Sequence, residues 1–199
     1  AMNRVVAPEV SAFFQDLHSA AGVKIEFGRK VQSFLGNAGS ITEVVCADGY
    51  RVPADLCIVG IGIVPNMELA EAAGLACNNG IVVDEFAVTS IPGICAAGDC
   101  TWHPNKLLGI NLRLESVHNA LEQAKTAAAT LCGERQPYTQ IPWFWSDQYD
   151  IKLQIVGLSN GYDELVIRGA PREKSFAAFY LKEGQLLAVD AINSPREFM

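Results

Sequence analysis

The sequence predicts an α/β chain: an α/β segment followed by a smaller, mostly antiparallel α+β unit. Three observations carry this. Helix-period stretches alternate with apolar runs up to about residue 133. One of those runs, Leu56 to Val64, is continuously apolar, the pattern of a parallel strand covered on both faces. From Trp143 onward the period becomes that of strands, and the turns fall at glycines.

In chain order, residues 7–22 read as an amphipathic helix. Pro8 suits its first turn, Val10, Phe13, Phe14, Leu17 and Ala21 share a face, and Gly22 stops it. "VKIEF" alternates like a half-buried strand. "VQSFL", "ITEVVCA" and "YRVPA" continue as short strands, the last two joined by a hairpin turn at Asp48-Gly49. "LCIVGIGIVPN" is the doubly covered strand. It ends in Gly60-Ile61-Gly62 but is not GxGxxG, because position 65 is Pro. Asn66 is placed to cap a short helix, "MELAEAA", closed by Gly74.

"GIVVDEFAVTS" gives another strand and a turn. "TSIPGICAAGDC" then presents a second apolar run, Ile94 to Ala97, broken at Gly98-Asp99. Trp102, His103, Pro104 and Asn105 read as a loop. The strongest helix runs from about Ser116 to Cys132, with Ala120, Ala124, Ala127 and Ala128 as its close-packing side and Gly133 as stop. A linker, "ERQPYTQIP", precedes the strands "IKLQIVGLS", "DELVIRG", "SFAAFYLKEG" and "QLLAVDAIN".

Composition excludes several function classes. The chain has 199 residues, half of them apolar, and a net charge of −7. Residues 1–100 hold 5 basic and 11 acidic side chains, residues 101–199 hold 10 and 11. The basic field that nucleic acid requires is missing. No apolar run reaches a membrane span's length. The six scattered cysteines, without a Cys-x-x-Cys, read as buried free thiols of a cytoplasmic protein rather than a disulfide framework. His18, His103 and His118 sit at no metal-ligand spacing.

"TSIPGICAAGD" resembles the second flavin motif, T-S-x-P-x-I-x-A-x-G-D, of the two-dinucleotide-fold flavoproteins. "VGIGIVPN" resembles the segment where such chains return from the nicotinamide domain to the flavin domain. With "RLESVHNALEQA" and "PWFWSDQYDIKLQIVGL", the whole chain is similar to the NADH-dependent ferredoxin and rubredoxin reductases of bacterial oxygenase systems, in the pyridine nucleotide-disulfide oxidoreductase superfamily.

The resemblance implies FAD as cofactor, NADH as substrate and an iron–sulfur ferredoxin or a rubredoxin as partner. It implies that Asp99 accepts hydrogen bonds from the ribityl hydroxyls while Gly98 lets the flavin tail pass close to the backbone. The helix start at Glu115, Ser116 and Val117 would face the pyrimidine edge, where its positive end favours the negative charge of a reduced flavin. Trp145 would pack by the flavin, Gly60 and Gly62 would lie by the nicotinamide, and Arg113 and Trp143 would belong to the partner's docking surface. No catalytic side chain is implied, since hydride transfer to flavin needs stacking and orientation rather than an acid.

The domain boundaries expected are residues 1–66 for the back half of the nicotinamide domain, 67–137 for a second segment of the flavin domain, and 138–199 for a truncated C-terminal reductase domain. The resemblance begins part-way through the family's chain, and the GxGxxG of each nucleotide fold is absent. The expectation is therefore a fragment, inactive alone, whose unpaired apolar strand drives self-association. An interaction or assembly module without flavin is the alternative.

Overall fold

The computed structural model describes residue 2 and residues 5–199. Among these, residues 12–63 form one compact unit, and residues 2, 5–11 and 64–199 form another.

The first unit takes the larger part of helix α1 (Pro8–Ala20) and a small antiparallel sheet, β1 (Val31–Asn37), β2 (Ser40–Cys46) and β3 (Arg51–Pro53), in the order β1-β2-β3. Phe14 is fully buried with Phe13 edge-on against it. The Asp48-Gly49 turn forms: Gly49 donates to the Cys46 carbonyl, and the Asp48 carboxylate accepts from the Tyr50 amide.

Two expected strands of this region are corrected. Val23 to Phe27 makes no ladder. It is held instead by side chains: Glu26 pairs with Lys24 and Arg29 at 3.1 Å each, and Arg29 also pairs with Asp48 and lies 3.7 Å over the Tyr50 ring. The run from Leu56 onward is not a strand either. Leu56 is 78% exposed, Ile58 88% and Ile61 84%. A strand exists only through ladder bonds to a neighbour, and among the described residues no strand pairs with this run.

The second unit opens with the segment leading into α1 and the helix's first turn, where Val6, Ala7 and Val10 are buried. Helix α2 (Glu68–Ala72) follows. Its N-cap is Met67 with no side-chain cap bond, not Asn66 as expected. Gly74 closes it at φ 76°, its amide donating to Glu71. A three-stranded sheet comes next: β4 (Ile81–Val82) runs parallel to β5 (Thr101–Asn105), and β6 (Ile110–Leu112) is antiparallel to β5.

Here too the reading needs correction. Ile94 to Ala97 is not a strand; it has one isolated bridge, Val88 to Cys95. The Thr89 hydroxyl lies within reach of the carbonyls of Ile91 and Ile94, closing the turn at Pro92-Gly93 that leads into this stretch. The strand is the next segment, which was expected to be loop. Helix α3 (Val117–Leu131) packs its buried side, Asn119, Gln123, Thr126 and Ala127, inward, while Ala124 and Ala128 face solvent. The expected alanine face is thus only partly the packing face.

The last five strands form one antiparallel sheet, β7 (Trp143–Gln148), β8 (Ile151–Gly157), β9 (Glu164–Ala170), β10 (Ser175–Lys182) and β11 (Gln185–Ile192), in the order β7-β8-β11-β10-β9. Ile151, Leu153, Phe176, Tyr180 and Ile192 make its core. A short helix, α4 (Pro195–Phe198), follows. Six free cysteines are present, of which Cys46 is buried, Cys132 exposed and the rest intermediate; the expectation of buried thiols holds for Cys46 alone. Among the described residues no helix is long and apolar enough to cross a membrane, and no His/Cys/Asp/Glu group is arranged to hold a metal ion.

Candidate functional site

The site is built on the junction of β5 and α3, and that junction is polar. Thr101, His103 and Asn105 alternate along β5 and are all buried. They meet the polar side of α3. Gln123 Oε1 accepts from the Thr101 hydroxyl at 2.8 Å and from the Gly98 amide at 2.7 Å. Asn119 donates to the Leu114 carbonyl at 3.3 Å and accepts from the Tyr138 hydroxyl at 2.9 Å. The His103 ring stands edge-on to Tyr138, with its Nε2 buried and unpartnered. Burial lowers the His103 pKa to about 4 and pushes Tyr138 up to about 12, so both are neutral across the physiological range.

This core presents two elements. The first is the turn Gly98-Asp99. Gly98 is buried with φ 87°, and a β-carbon there would meet Ala120 Cβ at 3.5 Å, so the turn lies directly on α3. Asp99 stands exposed beside it. The second is the start of α3. Ser116 is its N-cap, its side chain accepting from the Asn119 amide at 3.1 Å. The other first-turn amides have no partner within the helix, so this end is a fixed positive pole.

Arg113 ties the two elements together. Its guanidinium donates to the Asp99 carbonyl at 3.2 Å and pairs with Glu115 at 2.8 Å. Only 12% of the side chain is exposed, so most of this arginine is spent inside the chain rather than offered to a partner.

Glu115, Ser116 and Val117 line a cavity of about 170 Å³ whose other wall is Phe144 and Trp145 of β7. Trp145 is 43% exposed. The half-buried Trp143 lies 5.1 Å from the Trp145 ring, 5.3 Å from His118 and 5.7 Å from Phe198. On the same strand, Phe144 and Trp145 also border an apolar hollow of about 250 Å³ reaching Leu153 and Ile155.

Of the residues expected from sequence, Glu115, Ser116, Val117 and Trp145 therefore share one cavity. Gly98 and Asp99 join them through Arg113, and Trp143 packs against Trp145. Gly60 and Gly62 lie in the other compact unit, on the exposed run, and share no element with this site. Sequence reasoning missed Thr101, Phe144 and above all Gln123. The signal for the buried polar side was there: Thr101, His103 and Asn105 recur at period two, as strand residues facing one way do.

A model of the pyridine nucleotide-disulphide oxidoreductases matches residues 1–124. The chain belongs to this family. A second model, the reductase C-terminal domain, matches residues 143–199, which is the five-stranded sheet and α4. Within the pyridine nucleotide-disulphide oxidoreductases, the chain is 50% identical to putidaredoxin reductase of Pseudomonas putida over 199 residues, which is 99% of this chain and 47% of that one. A ferredoxin reductase for the CYP199A2 system from Rhodopseudomonas palustris superposes with a TM-score of 0.95 at 45% identity, covering 100% of this chain and 49% of that one. The reductase in a covalent putidaredoxin reductase–putidaredoxin complex gives 0.93 at 50% identity, covering 99% and 48%. The chain spans about half the length of the relatives it matches.

Proposed function

We propose that this chain supplies the ribityl and ring contacts of an FAD-containing, NADH-dependent reductase that delivers electrons to a ferredoxin or rubredoxin serving an oxygenase. The observation that carries the reading is the cavity between the start of α3 and the Phe144–Trp145 wall, tied through Arg113 to Asp99.

The donor set fits the cofactor. An exposed carboxylate beside a bare glycine suits a polyol tail, because it accepts hydrogen bonds and brings no donor in competition. A helix N-terminus suits the ring edge that becomes negative on reduction. A flat aromatic wall suits a flat ring. FAD, when bound, would take hydride from NADH and pass electrons on singly. This chain's residues would bind and orient: Asp99 and Gly98 the tail, Glu115 to Val117 and Trp145 the ring. Trp143 and the exposed part of Arg113 belong to the docking side of this reading, and Gly60 and Gly62 to the nicotinamide side. Residues 1–66, 67–137 and 138–199 are the corresponding domain pieces, in a protein that works in the cytoplasm. Two similar structures, one a reductase–putidaredoxin complex and one a ferredoxin reductase, support the partner class.

The 199-residue chain alone is expected to oxidise no NADH above free FAD, because it carries no GxGxxG phosphate loop. The test is a full-length chimera, this chain completed by the part of the Pseudomonas putida relative that it does not cover. The chimera is expected to purify yellow, and Asp99→Ala to lose FAD on dialysis. Unchanged flavin content in Asp99→Ala removes Asp99 from the site; a colourless chimera removes the flavin reading. One observation favours a second reading, an interaction module without flavin: Leu56, Ile58 and Ile61 are openly exposed.

A further inference from the structure

Gln123 is the one long polar side chain fully buried on α3, at 1% exposure. A helix face against a sheet is ordinarily filled with apolar side chains, and burying a carboxamide costs unless it is hydrogen-bonded. The bonds it makes are specific. Both run to Oε1, from the Gly98 amide and the Thr101 hydroxyl, and these two residues bracket Asp99 and Cys100. The Thr101 amide reaches back to the Gly98 carbonyl, which shares the single Thr101 hydroxyl proton with Gln123 Oε1, so the turn 98–101 is closed on itself and fastened to α3 at one atom.

The same helix begins at Ser116, and Gln123 lies six residues beyond Val117. In an α-helix that is a rigid offset of about 9 Å along the axis. The turn is therefore held at a fixed place relative to the helix start. It is held twice: Gln123 takes the Gly98 amide, and Arg113, paired with Glu115, takes the Asp99 carbonyl. A turn fastened through the amide before Asp99 and the carbonyl of Asp99 itself cannot move the Asp99 backbone away from the helix without breaking one of the ties.

We propose that Gln123 is a positioning residue, setting where the backbone of Asp99, from which its carboxylate extends, stands relative to the positive end of α3 by clamping the Gly98–Thr101 turn to the helix. The proposal rests on the flavin reading above. It adds that tail and ring are gripped by a single rigid piece rather than by two independent loops.

Two substitutions separate clamping from space-filling. Gln123→Leu keeps most of the volume and removes the acceptor. Gln123→Glu keeps acceptor oxygens for both donors. The first readout needs no flavin: hydrogen exchange of the Gly98 amide in the 199-residue chain. Gln123→Leu is expected to speed it about tenfold or more, the factor for one hydrogen bond of about 1.4 kcal/mol, and Gln123→Glu to stay within about threefold.

The second readout is FAD affinity of the yellow chimera, where the same order is expected. Should Gln123→Leu fold poorly, Thr101→Val serves: it removes one donor and leaves the Gly98 bond, with an expected loss of about threefold. Equal exchange and equal FAD affinity in Gln123→Leu overturn the clamp. So does the reverse order, Leu tolerated and Glu not, which marks a space-filling residue. A colourless unsubstituted chimera overturns the flavin reading and with it the role of Gln123 toward the cofactor, while the exchange rates still report whether the clamp exists.

Discussion

The C-terminal sheet and the β1-β2-β3 sheet are both antiparallel ladders, and they differ in what they bury. In the C-terminal sheet, β10 has Phe176, Ala177, Ala178 and Tyr180 buried, and β11 answers with Ala188, Val189, Ala191 and Ile192. In the β1-β2-β3 sheet every residue of β1 is exposed, among them Val31, Phe34 and Leu35. Both are held by backbone ladders. The ladder thus decides that a sheet forms, and apolar closure decides whether it has a core. The run beginning at Leu56 is the extreme case, with neither ladder nor cover.

Apolar surface of that size seeks cover, and the largest expected effect follows from it. The 199-residue chain should self-associate at micromolar concentration, as read by light scattering. Replacing Ile58 and Ile61 by Lys should return it to monomer mass, whereas Lys at the solvent-facing Ala124 should not. A dilution-stable monomer of the unsubstituted chain would break the link between exposure and association.

The core contrast comes next in size. Phe176→Ala should cost about 3–5 kcal/mol in urea unfolding, because the side chain is 1% exposed and leaves a cavity. Phe34→Ala, on a side chain 49% exposed, should cost about 1 kcal/mol or less. Equal losses would mean that the β1 face is covered in solution, and would move that sheet to the closed side of the comparison.

The same contrast explains what the sequence made legible. The C-terminal strands were readable because each is a short apolar-rich segment bounded by turn residues, and their partners lie within about forty residues. Helix α3 was readable from its Ser116 cap and Gly133 stop. The break at Gly98-Asp99 was readable because a turn at φ 87° lying directly on α3 favours glycine. Leu56 to Val64 misled because an apolar run specifies burial without supplying the neighbour that provides it. Ile94 to Ala97 misled because the Thr89 side chain reaches the Ile94 carbonyl, an event that no hydropathy pattern carries. Gln123 was invisible for the converse reason. A glutamine in "LEQAK" reads as solvent-facing, and only the approach of the Gly98 amide and Thr101 gives it something to do.

The smallest effect sharpens the comparison inside the closed region, where burial acts on two ionisable groups with opposite sign. The Tyr180 hydroxyl accepts from the Ala7 amide at 2.7 Å and donates to Asp190, whose other oxygen is unpartnered. Burial pushes the Asp190 pKa up to about 7, against the opposing pull of the Tyr180 bond. An acid raised in the folded state from about 3.9 in the unfolded chain loses stability as pH climbs from about 4 to 7. His103, lowered to about 4 by burial, acts the other way: protons bind the unfolded imidazole first, so stability falls as pH drops from about 6.5 to 4. Each group contributes at most about 1.4 kcal/mol per pH unit, and between about pH 4.5 and 6.5 the two slopes oppose. The unsubstituted chain should therefore show a shallow profile there. Asp190→Asn, which still accepts from Tyr180, should leave stability rising with pH; His103→Gln should leave it falling. The exposed Glu26, held low by its bond to Arg29 and then by Lys24, lies in the open unit, and its influence should fade with salt. Urea midpoints measured across that window at two ionic strengths read all of this. Parallel profiles for the three proteins would show that burial does not set these two protonation states.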